Sequence, residues 1–376
     1  MTVTIAIPKE IKPGELRVAM IPALVNRLTK LGAKVKMQHN AGVGIHAQDT
    51  AYKDVEIVPT ANALYNSGDI VLKIQPPTID EVTHMKENAI LIAFLYPHLN
   101  LKVGKKLLEK NITSFAMELV PRISRAQDMD ALSSQATITG YKAVLLAADN
   151  SKFFFPMLTT AAGSIRPAKV FIIGVGVAGL QAIATAKRLG AQVSAYDVRP
   201  ETKEQTESLG AKFLNTGVQA SGEGGYAREL TQEEKKQQAE ALKKHIASCD
   251  VIITTAGVPG KPAPKILTKT MVESMKPGAV VVDILADMGG NCELTKPGET
   301  VYHHDIAILG PINVPSTVAI NASEMYARNL INLLGLMFKE NALNLPWDDE
   351  IIAGTVVTHA GTIKNATVKK LLEGKL

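Results

Sequence analysis

The chain has 376 residues, of which 46% are hydrophobic and 20% charged, and its formal net charge is +5. This length is typical of about two domains, and the composition is that of an ordinary globular protein rather than a disordered or fibrous one. Because the charge is modest and no dense block of Lys and Arg interleaved with aromatic residues occurs, we expect no nucleic-acid partner.

Cysteine content and hydropathy limit where the chain works. Only Cys249 and Cys292 are present, which favours a reducing compartment over a disulfide framework. The opening residues MTVTIAIPKE lack the apolar core of a signal peptide. No apolar run reaches the roughly 18 residues of a membrane-spanning helix. We therefore expect a cytoplasmic chain without direct membrane insertion, and docking onto a membrane protein stays open.

The N-terminal third of the chain alternates short apolar runs with helical patterns. Residues 4–7 predict a strand, and residues 23–32 predict a helix that Gly32 ends. Further strands are predicted at 34–38, 69–74, 89–94 and 112–117. Regular alternation of strands and helices indicates a parallel sheet with helices on its faces.

The following region repeats this pattern, which makes the chain a two-domain α/β protein. Strands are predicted at 170–174, 192–196, 251–256, 279–284 and 306–310. We interpret this second domain as Rossmann-like, because its strands alternate with helices in the same way.

Two long helical patterns predict the connections between the domains. Residues 131–150 are a candidate connecting helix, and a second lies within 320–338 and returns the chain toward the first domain. We therefore place an N-terminal domain at 1–131 plus about 320–376, and a nucleotide-binding domain at 132–319. The glycine-rich stretch 212–230 predicts a flexible loop, and the charged pattern at 231–245 predicts a helix with a solvated face.

A glycine motif carries the clearest functional signal. The strand at 170–173 runs into Gly174, Gly176 and Gly179, spaced as G-x-G-x-x-G, and a helical pattern follows. In a dinucleotide site the first glycine allows the tight turn. The second lets the backbone approach a pyrophosphate, and the third lets helix and strand pack closely. The helix N-terminus then offers N–H groups to the phosphates.

The residue that ends the next strand points to the kind of nucleotide. Asp197 lies eighteen residues after Gly179, and a carboxylate there can accept hydrogen bonds from the adenosine ribose while repelling a 2′-phosphate. This favours NAD over NADP. Arg199 lies two residues further on and favours the opposite preference.

No metal site is expected from the sequence. His303 and His304 are adjacent, so in a strand their side chains would point to opposite faces. No C-x-x-C or H-E-x-x-H pattern occurs.

Several segments resemble the NAD(H)-binding component of proton-translocating NAD(P) transhydrogenase. The most specific is PRISRAQDMDALSSQATITGYKAV, which contains Arg122, Gln127 and Asp130. The opening IPKEIKPGELRVAMIP is similar to the start shared by transhydrogenases and alanine dehydrogenases. GVGVAGLQAIATAKRLGA, GGYARE, KPGAVVVDILADMGGNCE and NVPSTVA resemble the transhydrogenase pattern in order and spacing, so the resemblance covers nearly the whole chain.

The resemblance implies a fold class, an activity and partners. It implies two Rossmann-like α/β domains with parallel sheets, an NAD cleft between them, and long linking helices. The chain would be the catalytic NAD(H)-binding subunit of an Si-specific proton-translocating transhydrogenase, exchanging hydride with NADP(H) on a partner. The partners implied are a second copy in a homodimer, an NADP(H)-binding beta subunit and a second, membrane-spanning alpha subunit. The chain would then be peripheral at the inner membrane.

The resemblance also implies site residues. Arg122, Gln127, Asp130 and Ser133 would surround the nicotinamide end, with Gln127 reaching toward the partner's nucleotide. The alternatives are a local ion pair between Arg122 and Asp130, and a helix N-cap role for Ser133.

A wider set of residues is implied in nucleotide binding. Tyr226 would lie on a loop that closes over the nucleotide, and Asn313 would contact the nicotinamide, the alternatives being an exposed tyrosine and a turn residue. Pro259 follows a strand end where ligands bind in open α/β sheets. The full set is Gly174, Gly176, Val177, Ala178, Gly179, Asp197, Val198, Arg199, Tyr226, Ala256, Gly257 and Asn313.

Two other functions are weighed against transhydrogenation. Alanine dehydrogenases share the opening motif and bind a keto acid through an arginine, a lysine, a histidine and an aspartate. This chain offers candidates in Arg17, Lys73, His98 and Asp287. A non-catalytic NAD-sensing module is the third interpretation, and normal NADH affinity without hydride exchange would favour it.

Overall fold

The computed structural model describes residues 2–220, 228, 230–258 and 260–372, and the chain divides into two units. The first unit comprises Met1–Gln135 and Ser316–Leu376, and the second comprises Ala136–Pro315. Two predicted site residues, Tyr226 and Pro259, lie outside the described residues.

The strands of the described residues, in chain order, are β1 Thr4–Ile7, β2 Lys34–Gln38, β3 Val55–Val58, β4 Ile70–Leu72, β5 Ile90–Ala93, β6 Thr113–Ala116, β7 Leu158–Thr160, β8 Gly163–Ile165, β9 Lys169–Ile173, β10 Gln192–Tyr196, β11 Lys212–Phe213, β12 Val251–Thr254, β13 Val280–Asp283, β14 Thr300–His303, β15 Ile306–Leu309, β16 Phe338–Lys339, β17 Ala342–Leu343, β18 Val356–His359 and β19 Thr362–Ile363.

The α-helices of the same residues are α1 Val25–Thr29, α2 Ala61–Ser67, α3 Ile79–His84, α4 Leu101–Glu109, α5 Ala131–Asn150, α6 Val177–Arg188, α7 Thr202–Ser208, α8 Gln232–Ile246, α9 Lys269–Glu273, α10 Ala319–Met337, α11 Glu350–Thr355 and α12 Ala366–Leu372.

The sheet of the first unit has the strand order β19-β18-β6-β5-β4-β1-β2-β3. Strands β1 to β6 are parallel, whereas β18 pairs antiparallel with β6 and β19 antiparallel with β18. Both faces of β4 and β5 are buried, as expected for parallel strands that helices cover on both sides. The C-terminal segment therefore completes the sheet that the N-terminal segment begins.

The sheet of the second unit has the order β11-β10-β9-β12-β13-β15-β14, with only β14 antiparallel. Strand β9 lies between β10, which follows it directly, and β12, which the chain reaches after α8. The strand order thus reverses at β9. In open α/β sheets, ligands bind outside the carboxyl ends of the strands at such a switch point.

The prediction of a mostly parallel two-domain α/β fold is confirmed, and the helices predicted at 131–150 and within 320–338 are present as α5 and α10. The helix predicted at 23–32 is shorter, because a 3-10 turn at Pro22–Leu24 precedes α1. The loop predicted at 212–230 was wrong at its start, where Lys212 and Phe213 form β11 against β10.

Candidate functional site

The loop between β9 and α6 contains three glycines with different steric surroundings. Gly174 has φ +95°, and a Cβ there would lie 2.7 Å from the backbone nitrogen of Ala256. A Cβ on Gly179 would lie 2.0 Å from the carbonyl oxygen of Gly174. A Cβ on Gly176 would meet nothing within 4 Å. Packing therefore requires glycine at the first and third positions, whereas Gly176 leaves open space beside the backbone.

The helix that follows begins without a side-chain cap. Gly176 is the N-cap residue of α6, and no side chain accepts a hydrogen bond from the first turn. Backbone N–H groups in this position bind phosphates, and the helix dipole favours the negative charge. A Cβ on Gly140 of α5 would lie 2.1 Å from the carbonyl oxygen of Ala178. The sequence analysis missed this glycine, which allows α5 to pack against the start of α6.

Asp197 directly follows β10 and is held by its neighbours. Its Oδ2 accepts a hydrogen bond from the backbone N–H of Val175 at 2.8 Å, and its Oδ1 accepts one from the backbone N–H of Arg199 at 3.0 Å. The Arg199 guanidinium donates to both oxygens, at 3.0 and 2.8 Å. A ribose hydroxyl that binds Asp197 must therefore share or displace donors already in place, and the geometry pairs Arg199 with the carboxylate.

The turn after β12 is clamped by a buried asparagine. The Oδ1 of Asn291 accepts from the backbone N–H of Ala256 at 3.1 Å, and its Nδ2 donates to the Ala256 carbonyl at 2.7 Å. Thr255 Oγ1 donates to the Gly174 carbonyl at 2.8 Å, which ties this turn to the glycine loop. A Cβ on exposed Gly257 would meet the flexible end of Leu285, 2.6 Å away. Sequence reasoning did not identify Asn291, although it lies within the segment KPGAVVVDILADMGGNCE.

The remaining predicted nucleotide contacts of the second unit lie at strand or helix ends. Val177 is the first residue of α6 and is 38% exposed. Val198 follows Asp197, and its carbonyl accepts from the N–H of Ala220 at 2.8 Å. Asn313 comes after β15 and has φ +47°, a left-handed conformation that asparagine tolerates better than most residues.

In the first unit, Asp130 rather than Ser133 caps helix α5. The Asp130 carboxylate accepts hydrogen bonds from the backbone N–H of Ser133 at 2.8 Å and from its Oγ at 2.6 Å. The suggestion that Ser133 is the N-cap was wrong, because the helix already begins at Ala131. Arg122 and Gln127 are exposed, and Gln127 lies in the 3-10 helix Ser124–Met129.

Two later helices hold this loop in place. Asn329 and Asn332 of α10 both donate to the carbonyl of Asp128, at 2.8 and 3.0 Å. Arg125 makes a two-point ion pair with Asp349, the N-cap of α11, at 2.8 and 3.0 Å. Sequence reasoning missed these supports, because about 200 residues separate them from the loop and no local pattern connects them.

Arg17, a candidate keto-acid ligand, is already bound to a carboxylate of the chain. Its guanidinium donates to Glu15 at 2.8 and 2.6 Å and to Gln135 at 2.8 Å, and Arg17 is 4% exposed. Burial alone raises the pKa of Glu15, but the hydrogen bonds and charge of Arg17 outweigh this and lower the pKa to about 2. Glu15 therefore stays ionised and occupies the arginine.

Lys73, the second candidate, is likewise engaged. Its Nζ donates to Glu81 at 2.8 Å and to Glu10 at 3.2 Å, and the residue is 1% exposed. Burial lowers the pKa of Lys73, but the two carboxylates outweigh burial and raise it. His98 is half-buried in the first unit, and Asp287 is exposed in the second. Both have partners in the structure.

Among the described residues, no helix is both long and apolar enough to cross a bilayer.

Comparison with known proteins identifies relatives along the whole chain. The family model for the alanine dehydrogenase/PNT N-terminal domain matches residues 6–139, and that for the C-terminal domain matches residues 143–366. An NAD(P) transhydrogenase subunit alpha chain of Rhodospirillum rubrum is 47% identical over 96% of this chain and 97% of its own length. The alanine dehydrogenase of Mycolicibacterium smegmatis is 29% identical over 98% and 96%.

A solved structure agrees with these relatives. The crystal structure of transhydrogenase from Sinorhizobium meliloti superposes with a TM-score of 0.87 at 42% identity, covering 96% of this chain and 99% of that one. The resemblance stated from the sequence is therefore confirmed.

Proposed function

Because this chain belongs to the alanine dehydrogenase/PNT family, and within it to the NAD(P) transhydrogenase alpha subunits, we propose that it exchanges hydride between its own NAD(H) and NADP(H) on a partner subunit. The observation that carries the proposal is the glycine loop. Gly176 leaves open space beside the uncapped N-terminus of α6, which suits a pyrophosphate. Asp197 at the end of β10 supplies a carboxylate for the ribose and disfavours a 2′-phosphate.

Arg122, Gln127, Asp130 and Ser133 are proposed to position the nicotinamide. Direct hydride transfer moves no proton from the reacting carbon, so the protein must hold the reacting atoms close together and exclude water. The pairing of Asp130 with both donors of Ser133 fixes the carboxylate at the start of α5. Exposed Gln127 offers an uncharged donor and acceptor toward a partner nucleotide.

The proposed partners follow the family. They are the NADP(H)-binding beta subunit and the second, membrane-spanning alpha subunit, which would couple exchange to proton translocation and bring a cytoplasmic chain to the inner membrane. A homodimer is supported by the hairpin formed by β7 and β8. Met157 and Ile165 there, and nearby Phe154, are 65%, 46% and 56% exposed, an apolar surface of the kind that protein partners cover.

The substitution Gln127→Asn tests the catalytic proposal. It shortens the side chain while keeping the amide, so we expect slower exchange in the reconstituted transhydrogenase and nearly unchanged NADH affinity of the isolated chain. Lost NADH binding with normal exchange at saturation would contradict this role. Normal NADH affinity of the wild type without exchange, even with the cognate partner, would instead identify a sensing module.

A further inference from the structure

The side chains of His303 and His304 lie together, contrary to the sequence-based prediction that they point to opposite faces. His303 ends β14, but His304 has φ +46° and lies in the turn to β15. The alternation of a strand therefore stops between them. Their imidazole rings stack with centroids 4.3 Å apart and planes 14° from parallel.

A carboxylate from a different element completes the cluster. Glu273 is the last residue of α9, and its Oε1 lies 2.9 Å from Nε2 of His303. One ligand atom from each of Glu273, His303 and His304 lies within 4.8 Å of the other two. No other group of histidine, cysteine, aspartate and glutamate side chains in the described part of the chain meets this criterion.

We propose that Glu273, His303 and His304 bind Zn²⁺, with water as the fourth ligand. Imidazole nitrogens and a carboxylate oxygen are ligands that zinc prefers, at roughly 2.0–2.2 Å. Tetrahedral bonds of that length separate the donor atoms by roughly 3.4 Å, so the three side chains must move inward. The stacked rings must also turn, since the metal lies in the plane of each imidazole. Rotation about χ2 of histidine is soft.

The local charges act in both directions on a bound cation. The hydrogen bond from His303 lowers the pKa of Glu273, which keeps the carboxylate ionised. The side chains of His303 and Glu273 are 22% and 30% exposed, so an ion can reach them. Lys269 opposes the metal, because its Nζ lies 3.8 Å from Oε1 of Glu273.

The site is separate from the glycine loop. His303 pairs with Ile306, the first residue of β15, so the cluster lies at the amino-terminal edge of the parallel strands. The glycine loop follows the carboxyl end of β9. Zinc would fasten α9 to the edge strand β14 and stabilise the folded state, because the three ligands come together only there.

Titration of the full chain with ZnCl₂ by calorimetry tests the proposal, using protein without a polyhistidine tag. We expect one zinc per chain and a raised melting temperature. Glu273→Gln and His304→Ala should each weaken binding by at least about tenfold, while Lys269→Gln should strengthen it. NADH affinity should not change in any of these variants.

His84→Gln is the matched control. The Nδ1 of His84 lies 3.7 Å from Asp80 without a third ligand, so zinc binding should be unchanged in that variant. Wild-type protein that takes up no stoichiometric zinc would overturn the proposal. So would zinc binding that His304→Ala leaves intact, because His304 is exposed and its loss should not unfold the chain.

Discussion

The buried charges of the first unit and the glycine loop of the second treat their polar groups in opposite ways. Arg17 and Lys73 are enclosed and matched by carboxylates of the same chain. The start of α6 has no side-chain cap, and the space beside Gly176 is open. Charged groups that satisfy one another stabilise the fold, whereas unpaired backbone donors beside open space are available to a ligand. Charged residue types alone did not make this distinction in the sequence.

The largest expected effect comes from Gly179→Ala. The added methyl group would lie 2.0 Å from the Gly174 carbonyl, so strand and helix must separate. We expect a loss of NADH affinity of more than about 100-fold and a lower melting temperature, measured by fluorescence titration and thermal unfolding.

Gly176→Ala is its matched control. Its backbone has φ −84° and ψ −164°, which alanine adopts without strain, and its methyl group meets no atom within 4 Å. The melting temperature should therefore stay unchanged while NADH affinity falls about tenfold or more. Unchanged affinity would show that the pyrophosphate does not lie beside this residue.

The next largest effect is on stability, from Glu15→Gln. This change leaves the guanidinium of Arg17 buried without its counter-charge, which typically destabilises a protein by about 3–5 kcal/mol. Urea unfolding of the first unit measures it. Glu56→Gln is the control, because Glu56 pairs with Lys36 but its side chain is 63% exposed, and the loss there should stay below about 1 kcal/mol.

Acid should weaken the same pair in the wild type. The pKa of Glu15 is lowered from 4.5 to about 2 in the folded chain. The stabilisation is therefore complete above pH 4.5 and is lost as the pH falls toward 2. The lost free energy of unfolding is about 3 kcal/mol. Unfolding measured along this range should show the loss in wild type and not in Glu15→Gln, and equal slopes would assign the acid sensitivity to other groups.

Asp130→Asn should have the smallest effect on stability. Asparagine caps helices about as well as aspartate, so the free energy of unfolding should change by less than about 1 kcal/mol. The negative charge beside the proposed nicotinamide position is removed, and we expect a slower rate of hydride exchange. Wild-type exchange in this variant would make Asp130 a helix cap only.

The sequence predicted the elements that are long or have a distinct local pattern. The glycine loop, α5 and α10 all have such patterns. It missed β3, β14 and β18, because strands of four residues at or near a sheet edge carry little periodicity. Asn291 and Asn329 were missed for another reason. Their hydrogen bonds join distant segments, and a single sequence does not show which segments meet.

The most direct test of the account is NADH consumption by the purified chain. NADH fluorescence is followed first with pyruvate and ammonium, and then with NADP⁺ and the NADP(H)-binding partner subunit. We predict a constant signal in the first mixture, because Arg17 and Lys73 are occupied by the chain's own carboxylates, and a decay in the second. Decay with pyruvate and ammonium alone would contradict the account and identify an alanine dehydrogenase.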